Sequence, residues 1–558
     1  MNVRQSIAVL SYLPAGVAHH SSYREEQMKR VRTDCSYFGF QQAKEWCRRF
    51  ATMATLLLTI CAIPAFGSTI TVTNTNDSGP GSLRAALANA ANGDIINFGL
   101  ATYPATIVLS STLVPVQGVS IRGPGASNLA ISGDDGVQVF LINAGLGVGI
   151  ENLTIEHGSS VLGGAIFNAG TLDMLNVTVT NNTVGTQLGG AIFNVGTLVL
   201  DGCTVSGNSA SSDEANRGGG IYNYQGFLRV QRSDISSNEA RYGIGGGIAV
   251  ISGTAIVDYS TISDNTAGGG AGGIYIESGT VTIQRTTISG NTFVGIDNLG
   301  GTVALTNSTV FFNYGGGIEV EGLYGNTPTM QISNSTIAYN GGGLTSGSGG
   351  STVVKGSIFQ GNSGEDCGSF EIITSLGYNL SSDVSCKPYF TQTGDAYQAN
   401  IGLDPNGLQN NGGPTDTIAL VELSRAVDAM PVSACTDVNG NPITTDQRGV
   451  TRPQGRGCDI GAFERFQSQN LLQAVATYQI IGAVQALSLP SGTQNSLTAP
   501  LQGAIYSLNR GDLAPASGQL VSFINQANAL VRSGRLTSTK ASPLIAAAQS
   551  ILDSISGG

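Results

Sequence analysis

The chain has 558 residues, of which 78 are glycine and only 11% are charged, and its formal net charge is −11. Glycine is about twice as frequent as in an average protein, and charged residues are less than half as frequent. There is no Gly-X-Y period and 41% of the residues are apolar, so collagen and simple disorder are excluded. An all-β protein with many tight corners fits this composition.

Residues 1–67 have the features of a signal peptide with an extended basic segment. Basic residues within 44–49 precede the apolar run ATLLLTICAIPAF, and the run ends on the small-x-small pattern of a signal-peptidase site. We expect cleavage after Gly67, with a membrane anchor as the alternative. The run is short for a bilayer span, and we expect no transmembrane segment in the mature chain.

Removal of residues 1–67 makes the chain more acidic. It then keeps 18 Lys or Arg and 33 Asp or Glu, a net charge of −15. Nucleic acid and anionic membranes are therefore not expected partners. His157 is the one remaining histidine, which excludes a multi-histidine metal site within one chain. No cofactor is expected, and calcium is left open as a weaker alternative.

The first mature segment predicts a short capping helix. Ser82 can cap a helix that places Leu83, Ala86, Leu87 and Ala90 on one face. A stack of coils needs such a plug over its terminal apolar layer.

A repeat of 22–29 residues fills the centre of the sequence. In the unit 163–182, GGAIFNAGTLDMLNVTVTNN, the pair GG is followed by a first apolar position at Ile166, a second at Val179 and a closing asparagine at Asn182. The first apolar position holds Ile166, Ile192, Ile221, Ile248, Ile274, Ile296, Ile318 and Leu344, and the closing position holds Asn182, Asn208, Asn238, Asn265, Asn291, Asn313 and Asn340. Such a period indicates a solenoid.

The units alternate apolar and polar residues at period two, with a phase change at Gly202, which indicates two short strands that meet at a bend. Three such strands per unit predict an all-β fold, a right-handed single-stranded parallel β-helix of the pectin-lyase-like kind with about a dozen coils. The closing asparagines are predicted to stack, with a calcium or catalytic role as the alternative. Cys203 shares a column with inward Ser and Thr, which predicts a buried thiol.

Unit lengths vary mainly between the closing asparagine and the next GG, from the long 209–217 to the short 292–294. This variation projects from one edge, which is the favoured binding place. Asp134 and Asp135 are candidate catalytic carboxylates, although a corner turn explains them as well. Arg217 and Arg241, with Arg229 and Arg232, are predicted to form a charged cluster near Asp213, Glu214 and Glu239, either a contact site or a solvated surface.

Four cysteines follow the repeat, namely Cys367, Cys386, Cys435 and Cys458. In a secreted chain they predict two local disulfides, 367 with 386 and 435 with 458, although three connectivities are open. Within 470–558 apolar residues then recur at spacings of three and four residues, and Pro490, Gly511 and Gly534 interrupt the pattern. This predicts a small four-helix module.

Two segments resemble known bacterial ones. GSLRAALANAANGDIINF resembles the CSLREAI segment that precedes bacterial parallel β-helices, with Gly81 in place of the usual Cys. GLDPNGLQNNGGPTDTIAL and TTDQRGVTRPQGRGCDIGAFE resemble the choice-of-anchor Q segment that follows them, and the GGAIFN phrases are similar to repeats of chlamydial polymorphic outer-membrane proteins. The resemblance implies export to the bacterial surface or medium and no established reaction. A recognisable sorting tail is absent after the Q segment, so the mode of attachment stays open.

The expected organisation is a signal peptide (1–67), an N-terminal cap and first coils (68–158), regular coils (159–365), a disulfide-bearing Q-like segment (366–465) and a helical module (466–558). We expect a monomeric, secreted or cell-surface scaffold that binds polysaccharide or a cell-surface component through its variable edge. The alternative is a polysaccharide lyase or glycoside hydrolase. Carboxylates gathered in a groove on one face would favour the enzyme.

Overall fold

The structure is a computed structural model that describes residues 67–210, 218–322, 325–369, 373–466, 468–487, 489–509 and 511–556. Within these residues the chain forms a parallel β-helix followed by a helical module, which confirms the predicted fold class. The predicted signal peptide lies outside the described residues, apart from Gly67 at its end.

Four parallel sheets make up the solenoid. Sheet A contains Thr69–Val72, Ile95–Phe98, Ser120–Arg122, Gly147–Glu151, Thr171–Leu175, Thr197–Asp201, Phe227–Gln231, Thr254–Asp258, Thr280–Gln284, Thr302–Thr306, Thr329–Ser333, Ser351–Lys355 and Ile373–Ser375. Sheet B contains Ala105–Val108, Leu129–Ser132, Thr154–Glu156, Thr178–Thr180, Thr204–Ser206, Asp234–Ser236, Thr261–Ser263, Thr287–Ser289, Thr309–Phe311, Thr336–Ala338, Ile358–Gln360 and Leu380–Ser381. Sheet C contains Phe140–Ile142, Ile166–Asn168, Ile192–Asn194, Ile221–Asn223, Ile248–Val250, Ala271–Ile276, Val294–Asn298, Gly316–Val320, Leu344–Ser346 and Cys367–Ser369. Sheet D contains Ser159–Leu162, Thr183–Leu188, Ser209–Ala210, Glu239–Ala240 and Thr266–Ala267.

The three long sheets have 13, 12 and 10 strands, in agreement with the expected dozen or so coils. The five-stranded sheet D was not predicted. It occupies the variable segment between the closing asparagine and GG, and among the described residues its strands run from Ser159 to Ala267, in the middle of the coil stack.

Equivalent residues of successive coils lie directly above one another. Ile166 pairs in register with Ile192, and Ile192 pairs with Ile221. All eight residues of this apolar column are at most 1% exposed. Burying each aliphatic side chain contributes about 1.5–3 kcal/mol, so the interior stacks are the main source of stability.

The bend between sheets A and B requires a left-handed backbone. Gly202 has φ of 61°, and the equivalent residues Asn176 and Asn307 have φ of 52° and 47°. Glycine and asparagine tolerate this conformation, which explains the phase change predicted at Gly202.

The predicted asparagine stack is present and buried. In each step the Nδ2 of one asparagine donates to the Oδ1 of the next at 2.8–3.0 Å, from Asn182 through Asn340. The stack continues one coil beyond the prediction, because Asn340 donates to Asn362 at 3.0 Å. Each amide also donates to a main-chain carbonyl, as Asn265 does to Ile235 at 2.8 Å. The amides are therefore engaged in holding the coils together.

A second, shorter asparagine stack closes the GGAIFN phrase. Asn168 donates to Asn194 at 2.8 Å, and Asn194 donates to Asn223 at 2.7 Å. The next coil has Val250 at this position, so the stack ends there. The sequence carries this stack as the asparagine that follows Ile-Phe at positions 168 and 194.

Cys203 belongs to the column of inward hydroxyl groups, as predicted. Its main-chain N–H donates to Ser233 Oγ at 3.0 Å, and that of Ser233 donates to Ser260 Oγ at 3.2 Å. Cys203 is the free cysteine of the described residues and is 1% exposed. Burial raises the pKa of its thiol to about 11, so the thiolate form is scarce at neutral pH.

The capping helix, α1, spans Leu83–Asn89. Ser82 Oγ accepts from the N–H of Ala85 at 3.2 Å, so Ser82 is the N-cap. Leu83, Ala86 and Leu87 are buried in the same core cluster as the first coils. The helix therefore covers the end of the apolar interior, as expected.

Both predicted disulfides form. Cys367 pairs with Cys386, and Cys435 pairs with Cys458. Two small antiparallel pairs lie in the segment after the coils, joining Leu403–Gln409 to Thr417–Leu420 and Met430–Pro431 to Gly457–Cys458. A 3₁₀ turn follows at Val432–Ala434.

The Q-like segment lies along the outer side of sheet B. Gln447 accepts from Thr309 Oγ1 at 2.7 Å and donates to Thr287 Oγ1 at 2.8 Å. Asn307 donates to the carbonyl of Thr445 at 2.8 Å, and the N–H of Ala462 donates to Thr336 Oγ1 at 3.1 Å. These contacts cover outward hydroxyl groups of three successive coils.

The charged residues of TTDQRGVTRPQGRGCDIGAFE, apart from the exposed Arg456, form a buried network within that segment. Arg448 pairs with Asp446 at 2.7 Å, and Arg452 pairs with Glu464 at 3.1 Å. Burial, reinforced by the charge of Glu464, raises the pKa of Asp459 to about 7. The Q-like phrase thus has a structural role, because its ionic groups bond to one another away from solvent.

Four helices follow, and their bounds are α2, Ser468–Gln485; α3, Ser491–Asn509; α4, Leu513–Arg532; and α5, Ser538–Ser556. Apolar residues from all four form one core cluster. Pro500 and Pro543 lie inside α3 and α5. In the described part of the chain, no helix combines the length and apolar character that crossing a membrane requires.

Candidate functional site

The variable edge of the solenoid has a step. Sheet D ends at Thr266–Ala267, and the next coil replaces it with the short connection through Thr292 and Phe293. Beyond this point the edge lacks a sheet D strand within the described residues. The step therefore exposes side chains that the longer connections of earlier coils would cover.

Three exposed aromatic side chains lie beyond the step, and we call Phe293, Phe312 and Tyr314 the aromatic edge. Their exposed fractions are 46%, 50% and 66%. The Phe312 and Tyr314 rings meet at a centroid distance of 5.5 Å, and the N–H of Gly315 donates to the Phe293 carbonyl, which joins the two coils. Exposed aromatic side chains that lie close together make this edge a candidate interaction surface.

Two residues of the aromatic edge, Phe312 and Tyr314, replace small polar residues of an earlier coil. Phe312 occupies the left-handed position that precedes the closing asparagine, with φ of 52°, and Asn181 has the same position with φ of 54°. Tyr314 follows its closing asparagine, as Thr183 does in an earlier coil. The backbone at these positions does not require aromatic side chains, although the Phe312 ring also lies 5.9 Å from the Phe311 ring.

An aromatic and acidic column runs up the outer side of sheet C. The in-register residues are Phe167, Phe193, Tyr222, Ala249, Tyr275, Asp297 and Glu319. Phe193 and Tyr222 have a ring centroid distance of 5.0 Å and are buried in a satellite cluster. The column changes from aromatic to acidic at the step.

Asp297 is the most buried carboxylate of this column, with an exposed fraction of 5%. Its Oδ1 has no hydrogen-bond partner within the described residues. Burial, followed by the charges of Glu319 and Glu321, raises the pKa of Asp297 to about 7. Burial and the charge of Glu321 also raise the pKa of Glu319. This acidic group was missed in the sequence, although Asp297 and Glu319 follow the aligned isoleucines directly.

A separate shallow groove of about 640 Å³ lies on the outer side of sheet A. Glu151, Asp173 and Asp201 line it, together with four glycines. Glu151 lies 3.5 Å from Arg122, and Asp201 pairs with Arg232. Asp173 is exposed at the centre of a strand. The groove therefore has three carboxylates in its lining.

Asp134 and Asp135 form a corner, with φ of 52° and 55°. The sequence did not connect them with His157, but the structure places His157 Nδ1 3.2 Å from Asp135 Oδ1. Both side chains are largely exposed. Asp134, Asp135 and His157 do not line the sheet A groove. Within the described residues, His157 forms an ion pair with no carboxylate other than that of Asp135.

The predicted arginine cluster is divided between different sheets. Arg229 points outward from sheet A and donates to Gln231 at 3.0 Å. Arg241 follows a sheet D strand and lies 5.5 Å from the Tyr242 ring centroid. The prediction of one cluster was wrong for these two residues because sequence proximity does not fix the side of the coil. Arg217, Asp213 and Glu214 lie outside the described residues.

In the described ranges, no three Asp, Glu, His or Cys side chains stand together as a possible metal site. Comparison of the chain with models of protein families, with curated proteins and with solved structures found no match.

Proposed function

We propose that this protein is a secreted or cell-surface β-helix scaffold that binds an extracellular glycan at the aromatic edge. The exposed cluster of Phe293, Phe312 and Tyr314 is the observation that carries the proposal. Aromatic side chains offer a flat apolar face and, for tyrosine, a hydroxyl group, and both suit sugar rings with their apolar faces and polar rims.

The location of the cluster supports a binding role. It lies on the edge where connections vary in length, and such connections are where scaffolds carry function. The regular coils beside it provide a rigid base, because their asparagine and hydroxyl stacks join each coil to the next. The strongly acidic mature chain disfavours nucleic acid as the partner. Export is supported by the signal-peptide pattern and by the resemblance to exported β-helix proteins.

A polysaccharide lyase or glycoside hydrolase is the second candidate, and the sheet A groove favours it. Glycoside hydrolysis uses two carboxylates on opposite sides of the scissile bond, and Asp173 with Glu151 or Asp201 offers such groups. Arginine partners hold Glu151 and Asp201, which leaves Asp173 as the carboxylate to test first.

The experiment is to incubate the full chain with a panel of insoluble polysaccharides and to record both retention and release of new reducing or unsaturated ends. Retention without release is expected. Release that disappears in Asp173→Asn would establish the enzyme and contradict a pure scaffold.

A further inference from the structure

The acidic end of the sheet C column has the properties of an unfilled binding site. Asp297 and Glu319 are neighbours in register on parallel strands, so their side chains project side by side from the same face. Tyr275 is the in-register neighbour of Asp297 on the other side. Phe293 of the aromatic edge lies four residues before Asp297, directly ahead of the strand Val294–Asn298 that carries Asp297.

The carboxyl groups here have no counter-charge within the described residues. Only 5% of Asp297 is exposed, and its Oδ1 is buried with no hydrogen-bond partner. None of the ion pairs among those residues includes Asp297, Glu319 or Glu321. Buried carboxylates are normally paired, so the arrangement fits a cation supplied by a ligand.

The choice of cation follows from the number of available ligands. Calcium takes six to eight oxygen ligands, and the described residues contain no group of three or more metal-binding side chains. A primary ammonium group has three N–H donors and can be satisfied by Asp297, Glu319 and water. Its carbon skeleton would lie against the aromatic side chains next to the site, which a hydrated metal ion would not need.

We propose that Asp297 and Glu319 bind the ammonium group of an amino sugar in the glycan, an inference that rests on the proposed function. The aromatic edge lies at the start of the strand that carries Asp297, about 13 Å away at roughly 3.3 Å per residue, a distance that an oligosaccharide spans, and this favours a sugar ring as the carrier of the amine over a lysine side chain. The same carboxylates would repel a polyuronate. The ligand class is thus a glycan with free amino groups.

The experiment measures binding of the full chain to chitosan oligosaccharides, their fully N-acetylated counterparts, polygalacturonate and oligolysine. We expect the free-amine sugar to bind at least about tenfold more tightly than the N-acetylated sugar, and polygalacturonate to bind least. Asp297→Asn should abolish the preference for the amine, whereas the exposed control Asp264→Asn should keep it.

The outcomes separate this inference from the proposed function. Equal binding of both chitosan forms, or a preference that survives Asp297→Asn, would overturn the ammonium site while leaving a glycan scaffold. Oligolysine binding that exceeds chitosan binding and depends on Asp297 would overturn the assignment to an amino sugar. Absence of binding to every glycan would overturn the proposed function and this inference together. Asn has nearly the size of Asp, so we expect Asp297→Asn to fold. A thermal unfolding curve of the variant checks this.

Discussion

Gln447 donates its side-chain N–H to the hydroxyl of Thr287 at 2.8 Å, across 160 positions of sequence. The same amide donates to Thr415 Oγ1 at 3.0 Å and accepts from Thr309 Oγ1 at 2.7 Å. One buried side chain therefore joins the Q-like segment to two coils of the solenoid, and its loss would leave several hydroxyl groups unpaired.

Gln447→Ala should lower the free energy of unfolding by about 2–4 kcal/mol, because buried hydroxyl groups lose their partner and a cavity remains. Urea unfolding followed by β-sheet circular dichroism measures the change. The matched control is Gln549→Ala on the exposed side of α5, for which a change within about 0.5 kcal/mol is expected. Equal effects of the two substitutions would contradict a joining role for Gln447.

Asn265→Ala should interrupt the asparagine stack at its centre. Asn265 donates to Asn291 and accepts from Asn238, both at 3.0 Å, so the substitution leaves buried polar groups unpaired on two coils. A loss of about 2–3 kcal/mol is expected from thermal or urea unfolding. Asn525→Ala on the exposed side of α4 is the control, and a loss as large there would contradict the account.

Cys203→Ser should be tolerated, because serine and threonine occupy this column in other coils. The native thiol should resist alkylation at neutral pH, since burial raises its pKa to about 11. The measurement is mass-spectrometric labelling with iodoacetamide before and after denaturation. Rapid labelling of the native chain, or loss of glycan binding in Cys203→Ser with the fold intact, would indicate a functional thiol instead.

Asp297 should make stability depend on pH. Its folded-state pKa is raised from 3.8 to about 7, so the folded state holds a proton that the unfolded state releases. Stability should therefore fall as pH rises from about 4 to about 7, by at most about 4 kcal/mol from this group, and then level off. Melting temperatures over this range should fall less steeply in Asp297→Asn. A slope identical to that of the native chain would show that Asp297 is not held in its protonated form.

The repeated positions were predictable because every coil buries its apolar residues and pairs its polar groups against the coils above and below it. Ile192, Asn208 and Cys203 have neighbours of equivalent sequence above and below, so a column in the aligned repeat is a column in space. Sheet D was not predictable in the same way, because strands as short as Ser209–Ala210 carry no period.

Contacts between coils and the closing segment could not be obtained from spacing. Gln447 contacts Thr287 because the closing segment folds back along the coils, which the local sequence pattern does not specify. The contact between His157 and Asp135, on neighbouring coils, was likewise not specified by that pattern. The acidic pair was a missed signal of another kind. Asp297 and Glu319 follow the aromatic residues of a column that the aligned repeat already contained. Only the structure showed that Asp297 is buried and that neither carboxylate has an ion-pair partner among the described residues.

The affinity of the aromatic edge for a glycan is the central measurement. The double variant Phe312→Asn, Tyr314→Thr restores the residue types of earlier coils and should preserve the fold. It should lose at least about tenfold in affinity for the polysaccharide that retains the native chain, whereas Tyr478→Ser, which removes an exposed aromatic side chain from α2, should bind as the native chain does. Unchanged affinity in the double variant, with the same melting temperature as the native chain, would contradict the proposed function.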